Sequence, residues 1–251
     1  MTSGYATATS PWFVRPQSTD APARLFCFPY SGTGASAFSA WPAAVGELEV
    51  CPVQFPGREN RLAEPHYGTY ENLADALVEA LVPRLDRPFA FFGHCAGALP
   101  MFEAAVRLAE QGLPQPERLF VSGQAAPHDD VPDRMLSMSE AELRAELESV
   151  VRSRGIRPRP DMIDVGMAVL LRDLAAARAY RRPEPVAVHC PVVVLHWRED
   201  PEVSPDQLDG WRQYSDSVDV HVVDGGHHDF MNASDELQKL LAHWRWEQRS
   251  Q

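Results

Sequence analysis

Apolar residues recur along this chain in two rhythms. Short runs rich in apolar residues fall at 24–29, 50–55, 89–92, 118–122, 192–196 and 218–223. The run at 89–92, Phe-Ala-Phe-Phe, is continuous, as buried central strands of parallel sheets are. Between the runs the spacing changes. From Tyr70 to Leu85, leucines stand at 73, 77, 81 and 85, a four-residue repeat that lines one helix face. Residues 101–110 carry a second helical pattern, and the stretch ending at Trp41 a shorter one. Strands alternating with helices predict an α/β fold with a mostly parallel central sheet flanked by helices.

The alternation stops near Ala126. Residues 127–185 hold no strand pattern. Ser139-x-x-Glu142 has the form of a capping box, and Leu143, Leu147 and Val150 follow on one face. A second helix is expected over 161–180. This segment reads as a helical lid inserted at about 127–185, covering one end of the sheet. Residues 1–22, rich in Ser, Thr, Ala and Pro, read as a flexible N-terminal arm, leaving 23–251 as one domain. No internal repeat is visible.

Composition narrows the classes. With 251 residues and 45% hydrophobic side chains, the chain is long enough for a substantial core. Its formal charge of −12 argues against a nucleic-acid binder and against adhesion to anionic membranes. No stretch approaches the roughly 18 apolar residues of a membrane span. Cys27, Cys51, Cys95 and Cys190 form no C-x-x-C pair, so a zinc or thioredoxin-like reading has no support from spacing, and scattered cysteines suit a reducing cytoplasm. The first ten residues lack the basic start and apolar run of a signal peptide.

Candidate chemistry enters at Gly93-His94-Cys95-Ala96-Gly97, which is G-x-S-x-G with cysteine for serine, between an apolar strand and a helix. That context is the strained strand-to-helix turn of an α/β-hydrolase nucleophile. Glycines two residues either side let the backbone fold back, and the helix N-terminus favours a thiolate. The bland alternative is a glycine-flanked turn with an inert thiol. A thiol nucleophile needs a base, and the base needs an orienting acid. The hydrolase order is nucleophile, acid, histidine. Asp200 follows the strand at 192–196, with Glu199 and Glu202 as competing acids. His227 follows the last strand, with His228 as the competing base. Strand C-terminal ends are where open α/β sheets place their sites. An oxyanion hole would use the N–H groups of Ala96 and of Ser31, in the loop after the first strand. That glycine-rich loop has neither a P-loop lysine nor G-x-G-x-x-G, so it does not read as a phosphate cradle, and no cofactor is expected.

Five further motifs carry a resemblance. They stand as Phe28-Pro29-Tyr30-Ser31-Gly32, Gln54-Phe55-Pro56-Gly57-Arg58-Glu59, Pro88 to His94, Ser122-Gly123-Gln124-Ala125-Ala126-Pro127, and Asp200-Pro201 with Gly225-Gly226-His227. Over about 24–232 the sequence resembles the type II thioesterases that accompany polyketide and nonribosomal peptide synthases. The resemblance implies an α/β-hydrolase with a helical lid. It implies hydrolysis of acyl groups from the phosphopantetheine arm of acyl or peptidyl carrier proteins, with Cys95, Asp200 and His227 as triad. Two features depart from the family: Tyr30-Ser31 replaces a common His-Ala, and cysteine replaces the usual serine. A cysteine-bound acyl group is open to amines and other strong nucleophiles, so acyl transfer or cyclisation is the alternative to hydrolysis. A binding module without catalysis is the competing class; the intact Cys, Asp and His set argues against it. Arg152, Arg154, Arg157 and Arg159, with Arg178, Arg181 and Arg182, read either as solvated helix faces or as a basic patch for an acidic carrier protein. Met135, Met138, Met162 and Met167 read either as core or as an adaptable acyl channel.

Overall fold

The computed structural model describes residues 10–129 and 134–243. Seven strands form one sheet: β1 Ala23–Phe28, β2 Ala44–Val45, β3 Leu48–Pro52, β4 Phe89–His94, β5 Arg118–Ser122, β6 Val192–Trp197 and β7 Val218–Val223. Their order is β2-β3-β1-β4-β5-β6-β7, with every pairing parallel except β2 with β3. The helices are α1 Tyr70–Leu81, α2 Ala98–Glu110, α3 Arg134–Ser137, α4 Glu140–Ser153, α5 Pro160–Ala179 and α6 Asp235–Ala242. The sheet is thus the expected parallel α/β sheet.

The two-residue period of the strands explains how both faces are covered. Phe26, Phe28, Phe89 and Phe91 point to one face and pack with Leu73 and Leu77 of α1 and Met101 and Phe102 of α2. Leu25, Cys27, Ala90 and Phe92 point to the other and pack with Phe38, Trp41, Phe230, Leu237 and Leu241. The leucine face of α1 is the buried one, and Thr69 caps its first turn by accepting from Asn72 N–H. α1 ends at Leu81, short of Leu85, because Pro83 cannot donate within an α-helix and the chain tightens into a 3-10 turn.

Three differences from the sequence expectation have physical causes. The second long strand begins at Leu48, not Val50, because the two-residue β2 turns back on it as an antiparallel edge. α6 escapes a pattern search because its eight residues hold few apolar positions, chiefly Leu237 and Leu241 on one face. Residues 10–22, expected as a loose arm, lie against the body. Phe13 bridges Val53, and the Arg15 guanidinium donates to the carbonyls of Phe38, Trp41 and Pro42. Residues 1–9 of that expected arm lie outside the described residues.

Between β5 and β6 the chain leaves the sheet for α3, α4 and α5, with no strand among the described residues there. Ser139 and Glu142 make the reciprocal capping box at the start of α4. The insertion has a small core of its own, Leu143, Ile163, Met167, Leu170 and Leu174.

Candidate active site

The strand order reverses between β1 and β4: β3 lies on one side of β1, and β4 and β5 on the other. A crevice forms at the carboxyl ends of strands at such a switch point. Cys95 stands there, immediately after β4, with φ at +50°. A non-glycine residue in this left-handed region costs energy, and active-site turns retain such strain. The flanking glycines are dictated by space. A Cβ on Gly93 would lie 2.6 Å from Ala98 Cα, and one on Gly97 would lie 2.4 Å from the Pro29 carbonyl oxygen. The close pass at Gly97 brings the loop after β1 against the turn that carries Cys95.

His227 lies beyond β7 and Asp200 beyond β6, as their sequence positions predict. His227 Nδ1 is 2.8 Å from Asp200 Oδ2. The other Asp200 oxygen accepts from the Glu202 N–H at 2.8 Å and the Val203 N–H at 3.4 Å. Cys95 Sγ, a Glu202 carboxylate oxygen and a His227 ring nitrogen all lie within 4.8 Å of one another. Cys95 and His227 are both under a tenth exposed. Burial alone would pull the His227 pKa down. The Cys95 thiolate, the Asp200 hydrogen bond and Glu202 outweigh it, and the pKa is raised. Burial pushes Asp200 up, and its hydrogen bond to His227 wins, leaving it lowered. The arrangement lines up a thiol, an imidazole and a carboxylate.

None of the competing residues makes the contact to His227 Nδ1. Glu199 is exposed on the loop surface. His228 stacks on Tyr30, ring centroids 5.4 Å apart. Glu202 is present but stands on the Nε2 side of His227, 3.6 Å away, opposite the Asp200 contact. Its carboxylate is paired with Arg134 at 3.1 Å. Ala96 lines the cavity beside Cys95. Ser31 sits on the adjoining loop, whose shape is fixed on both sides of it: Gly32 N–H donates to Asp173 at 2.7 Å, and Thr33 N–H to the Tyr30 carbonyl at 3.2 Å.

Several site residues escape sequence reasoning. His94 packs beneath His227, centroids 4.6 Å apart, and stacks on Phe230 at 3.9 Å. Its Nδ1 meets Ser122 Oγ, which also accepts from Trp197 Nε1, both at 2.9 Å. Burial and repulsion from His227 and His228 keep its pKa low, so it stays neutral. Gly123 has φ at +57°, and a Cβ there would lie 3.2 Å from Asp200 Oδ2 and 3.5 Å from His227 Cε1. His94, Ser122 and Gly123 all lie inside quoted motifs, but only their positions under the histidine reveal what they do.

A cavity of about 780 Å³ opens over Cys95 and His227. Its walls come from the loop after β5 and from the ends of α3 and α5, including Leu136, Tyr180 and Arg178. Its size suits a drug-sized ligand. Two sequence alternatives are decided here. None of the four methionines lines the cavity; Met167 is buried in the insertion core with Met135 and Met138 against it, and Met162 is exposed. The arginine cluster divides. Arg152 pairs with Glu148, Arg159 pairs with Asp161, and Arg154 donates to the Ser36 carbonyl, all on exposed surface. Arg178, Arg181 and Arg182 instead line the cavity, with Arg134.

Residues 23–245 match the thioesterase domain family. The chain belongs to that family. A Brevibacillus parabrevis protein, linear gramicidin dehydrogenase LgrE, is 32% identical over 241 residues, spanning 93% of this chain and 90% of that one. Its name speaks of a dehydrogenase, whereas the family matched is a thioesterase. Among solved structures, the RedJ thioesterase from the prodiginine pathway of Streptomyces coelicolor is 38% identical, with a TM-score of 0.74 and 89% of each chain covered. The type II thioesterase BorB from the borrelidin cluster is 30% identical, with a TM-score of 0.76, covering 94% of this chain and 97% of that one. The thioesterase is therefore a thioester hydrolase on an α/β-hydrolase fold. None of its described helices is long and apolar enough to cross a membrane.

Proposed function

We propose that this thioesterase is a discrete, type II enzyme that releases acyl groups from the phosphopantetheine arm of acyl or peptidyl carrier proteins, through a Cys95–His227–Asp200 triad. The observation that carries the reading is Cys95, on its strained turn at the cavity floor, within reach of a histidine whose far nitrogen is held by Asp200. The name of BorB, a type II thioesterase of a biosynthetic cluster, and that of YbtT, a type II thioesterase from an NRPS/PKS pathway and 25% identical, support the substrate class.

The chemistry follows from the geometry. Cys95 thiolate attacks the thioester carbonyl, and the developing oxyanion takes N–H bonds from Ala96 and Ser31. Removing one such donor typically costs about 3 kcal/mol of barrier. The tetrahedral intermediate expels the carrier thiolate, which takes the proton of His227. His227, now neutral, accepts a proton from water as the water attacks the acyl–Cys95 bond. Collapse releases the free acid and restores the thiolate–imidazolium pair. The helices between β5 and β6 act as the lid over this cavity.

A second reading rests on the thiol itself. Exchange between two thioesters is nearly isoenergetic, so acyl–Cys95 keeps its reactivity and can pass to an amine, a hydroxyl or an internal nucleophile. Intact-protein mass spectrometry with acylated carrier proteins, with and without acceptor, separates the two. Hydrolysis predicts a transient acyl adduct on the enzyme, free acid as product, and undiminished hydrolysis by Cys95→Ser. Transfer predicts an acceptor adduct that Cys95→Ser diverts to free acid. An adduct that still accumulates on Cys95→Ala at an unchanged rate would falsify the nucleophile assignment.

A further inference from the structure

Glu202 has no part in the acyl-enzyme chemistry, yet its carboxylate is nearly buried beside the two groups that do. We propose that Cys95, His227 and Glu202 form a reversible inhibitory site for a zinc-class divalent cation. The three offer one thiolate sulfur, one imidazole nitrogen and one carboxylate oxygen, a donor set that borderline-soft zinc favours over magnesium or calcium. Tetrahedral zinc, with bonds of about 2.0–2.3 Å, holds its ligand atoms roughly 3.5 Å apart. His227 Nε2 and Glu202 Oε2 already stand 3.6 Å apart, and no pair in the set exceeds 4.8 Å. Small side-chain rotations close it.

The groups behind these ligands are also in place. A zinc-binding histidine usually donates its other ring N–H to a carboxylate, which fixes the tautomer. Asp200 does this at His227 Nδ1, so Nε2 is the nitrogen turned toward Cys95 and Glu202. Arg134 holds the other Glu202 oxygen at 3.1 Å, leaving Oε2 toward the histidine. All three ligands line the cavity, so an ion has an entry path, and the cavity side supplies a fourth position for water. A second trio, His94, His227 and His228, is as compact, but neither His94 nor His228 lines the cavity. Binding displaces one proton, the one that His227 carries in the ion pair, and this goes to solvent. The cation then occupies the position from which Cys95 would attack, and turnover stops.

The proposal goes beyond the hydrolytic reading, and its test needs no turnover. The purified protein, treated with chelator, is titrated with Co²⁺ and followed by the near-ultraviolet thiolate-to-cobalt charge-transfer band. The expected result is one equivalent bound, with the band lost in Cys95→Ser and affinity weakened at least tenfold in Glu202→Gln. His228→Gln should bind unchanged. Zn²⁺ should displace Co²⁺ and protect Cys95 of the unmodified protein from alkylation, and chelator should reverse the protection. The idea is overturned by an undiminished band in Cys95→Ser, by unchanged affinity in Glu202→Gln, or by alkylation of Cys95 that Zn²⁺ leaves untouched. The alkylation arm uses the native sequence and decides the matter even where a variant fails to fold.

Discussion

At the scale of single residues, the four cysteines differ by environment. Cys27, Cys51 and Cys190 are buried in or beside strands, and burial pushes their thiols up, Cys190 to about 12. Cys95 alone faces both the cavity and an imidazole whose pKa is raised. Iodoacetamide followed by peptide mapping should therefore modify Cys95 first, with the largest advantage at and below neutral pH. The sign follows from His227. A raised pKa keeps the imidazolium, and with it the thiolate partner, at pH values where a free histidine is neutral, and the pairing is lost as pH rises through the raised value. Equal labelling of all four thiols would contradict the ion pair. Asp200→Asn should keep the fold, because the amide fills the same space. It should cut kcat on the order of 10⁴-fold, since the histidine loses the acceptor that sets its tautomer. Exposed Glu199→Gln should turn over normally; the reverse outcome in steady-state kinetics would move the acid assignment.

At the scale of elements, α5 ties the insertion to the site. Its face toward the body is apolar except for Asp173, between Leu170 and Leu174. That carboxylate is fully buried, and five donors converge on it. Arg58 reaches it twice, at 2.7 and 2.8 Å, His66 Nε2 at 2.7 Å, Tyr67 OH at 2.8 Å, and Gly32 N–H at 2.7 Å. One residue thus ties the insertion to the loop before α1 and to the loop carrying Ser31. Burial disfavours the Asp173 charge, but Arg58 and the hydrogen bonds overcome this and hold its pKa at about 2. Breaking a buried pair from one side costs about 3–5 kcal/mol, because the other charge stays buried. Asp173→Ala should lower thermal stability by that amount, and Asp173→Ala with Arg58→Met by clearly less. The pH dependence has a definite sign. A depressed carboxylate pKa stabilises above the ordinary value of 3.8 and loses its contribution as pH falls toward 2. Between these limits the Tm of the native protein should fall more steeply than that of Asp173→Asn. Parallel Tm curves would show that the cluster is not holding the insertion down.

Over the whole molecule, charge is distributed against its sum. The chain carries −12, yet arginines 134, 178, 181 and 182 ring the cavity above Cys95. Some are committed to structure. Arg182 holds the buried carboxylate of Glu103 at 2.7 and 2.8 Å, with Tyr180 OH on the same oxygen, and Arg134 holds Glu202. Arg178 and Arg181 are exposed and make hydrogen bonds only to backbone carbonyls of Leu136 and Tyr180 among those described. On the proposed function they are the cations that would meet a phosphopantetheine phosphate or an acidic carrier surface. Arg178→Glu with Arg181→Glu should raise KM for acylated carrier protein about tenfold while leaving small acyl-thioester mimics nearly unaffected, and the effect should shrink with added salt. Arg152→Glu with Arg159→Glu, on surface already paired with local acids, should change neither. Equal losses on both substrates would mean that the rim shapes the cavity and does not dock a partner.

What the sequence determined by itself is what local pattern can encode. The apolar runs and four-residue leucine repeat specified a parallel sheet with α1 against it, because strand and helix periods depend only on neighbouring residues. Gly93, Cys95 and Gly97 announced a tight turn after β4, since steric demand at a turn is local. The order Cys95, Asp200, His227 then pointed to three strand ends. Only the tertiary structure decided the rest. It separated Asp200 from Glu199 and Glu202, which are within two residues of it, because the turn after β6 brings only Asp200 to Nδ1 and leaves Glu202 on the Nε2 side. It drew Asp173 and Arg58, 115 positions apart, into one buried cluster. It sent Arg152 and Arg159 to solvent pairs and Arg178, Arg181 and Arg182 to the cavity rim, and assigned the methionines to core and surface. Charge pairing, burial and cavity lining are properties of residues distant in the chain, and no local pattern carries them.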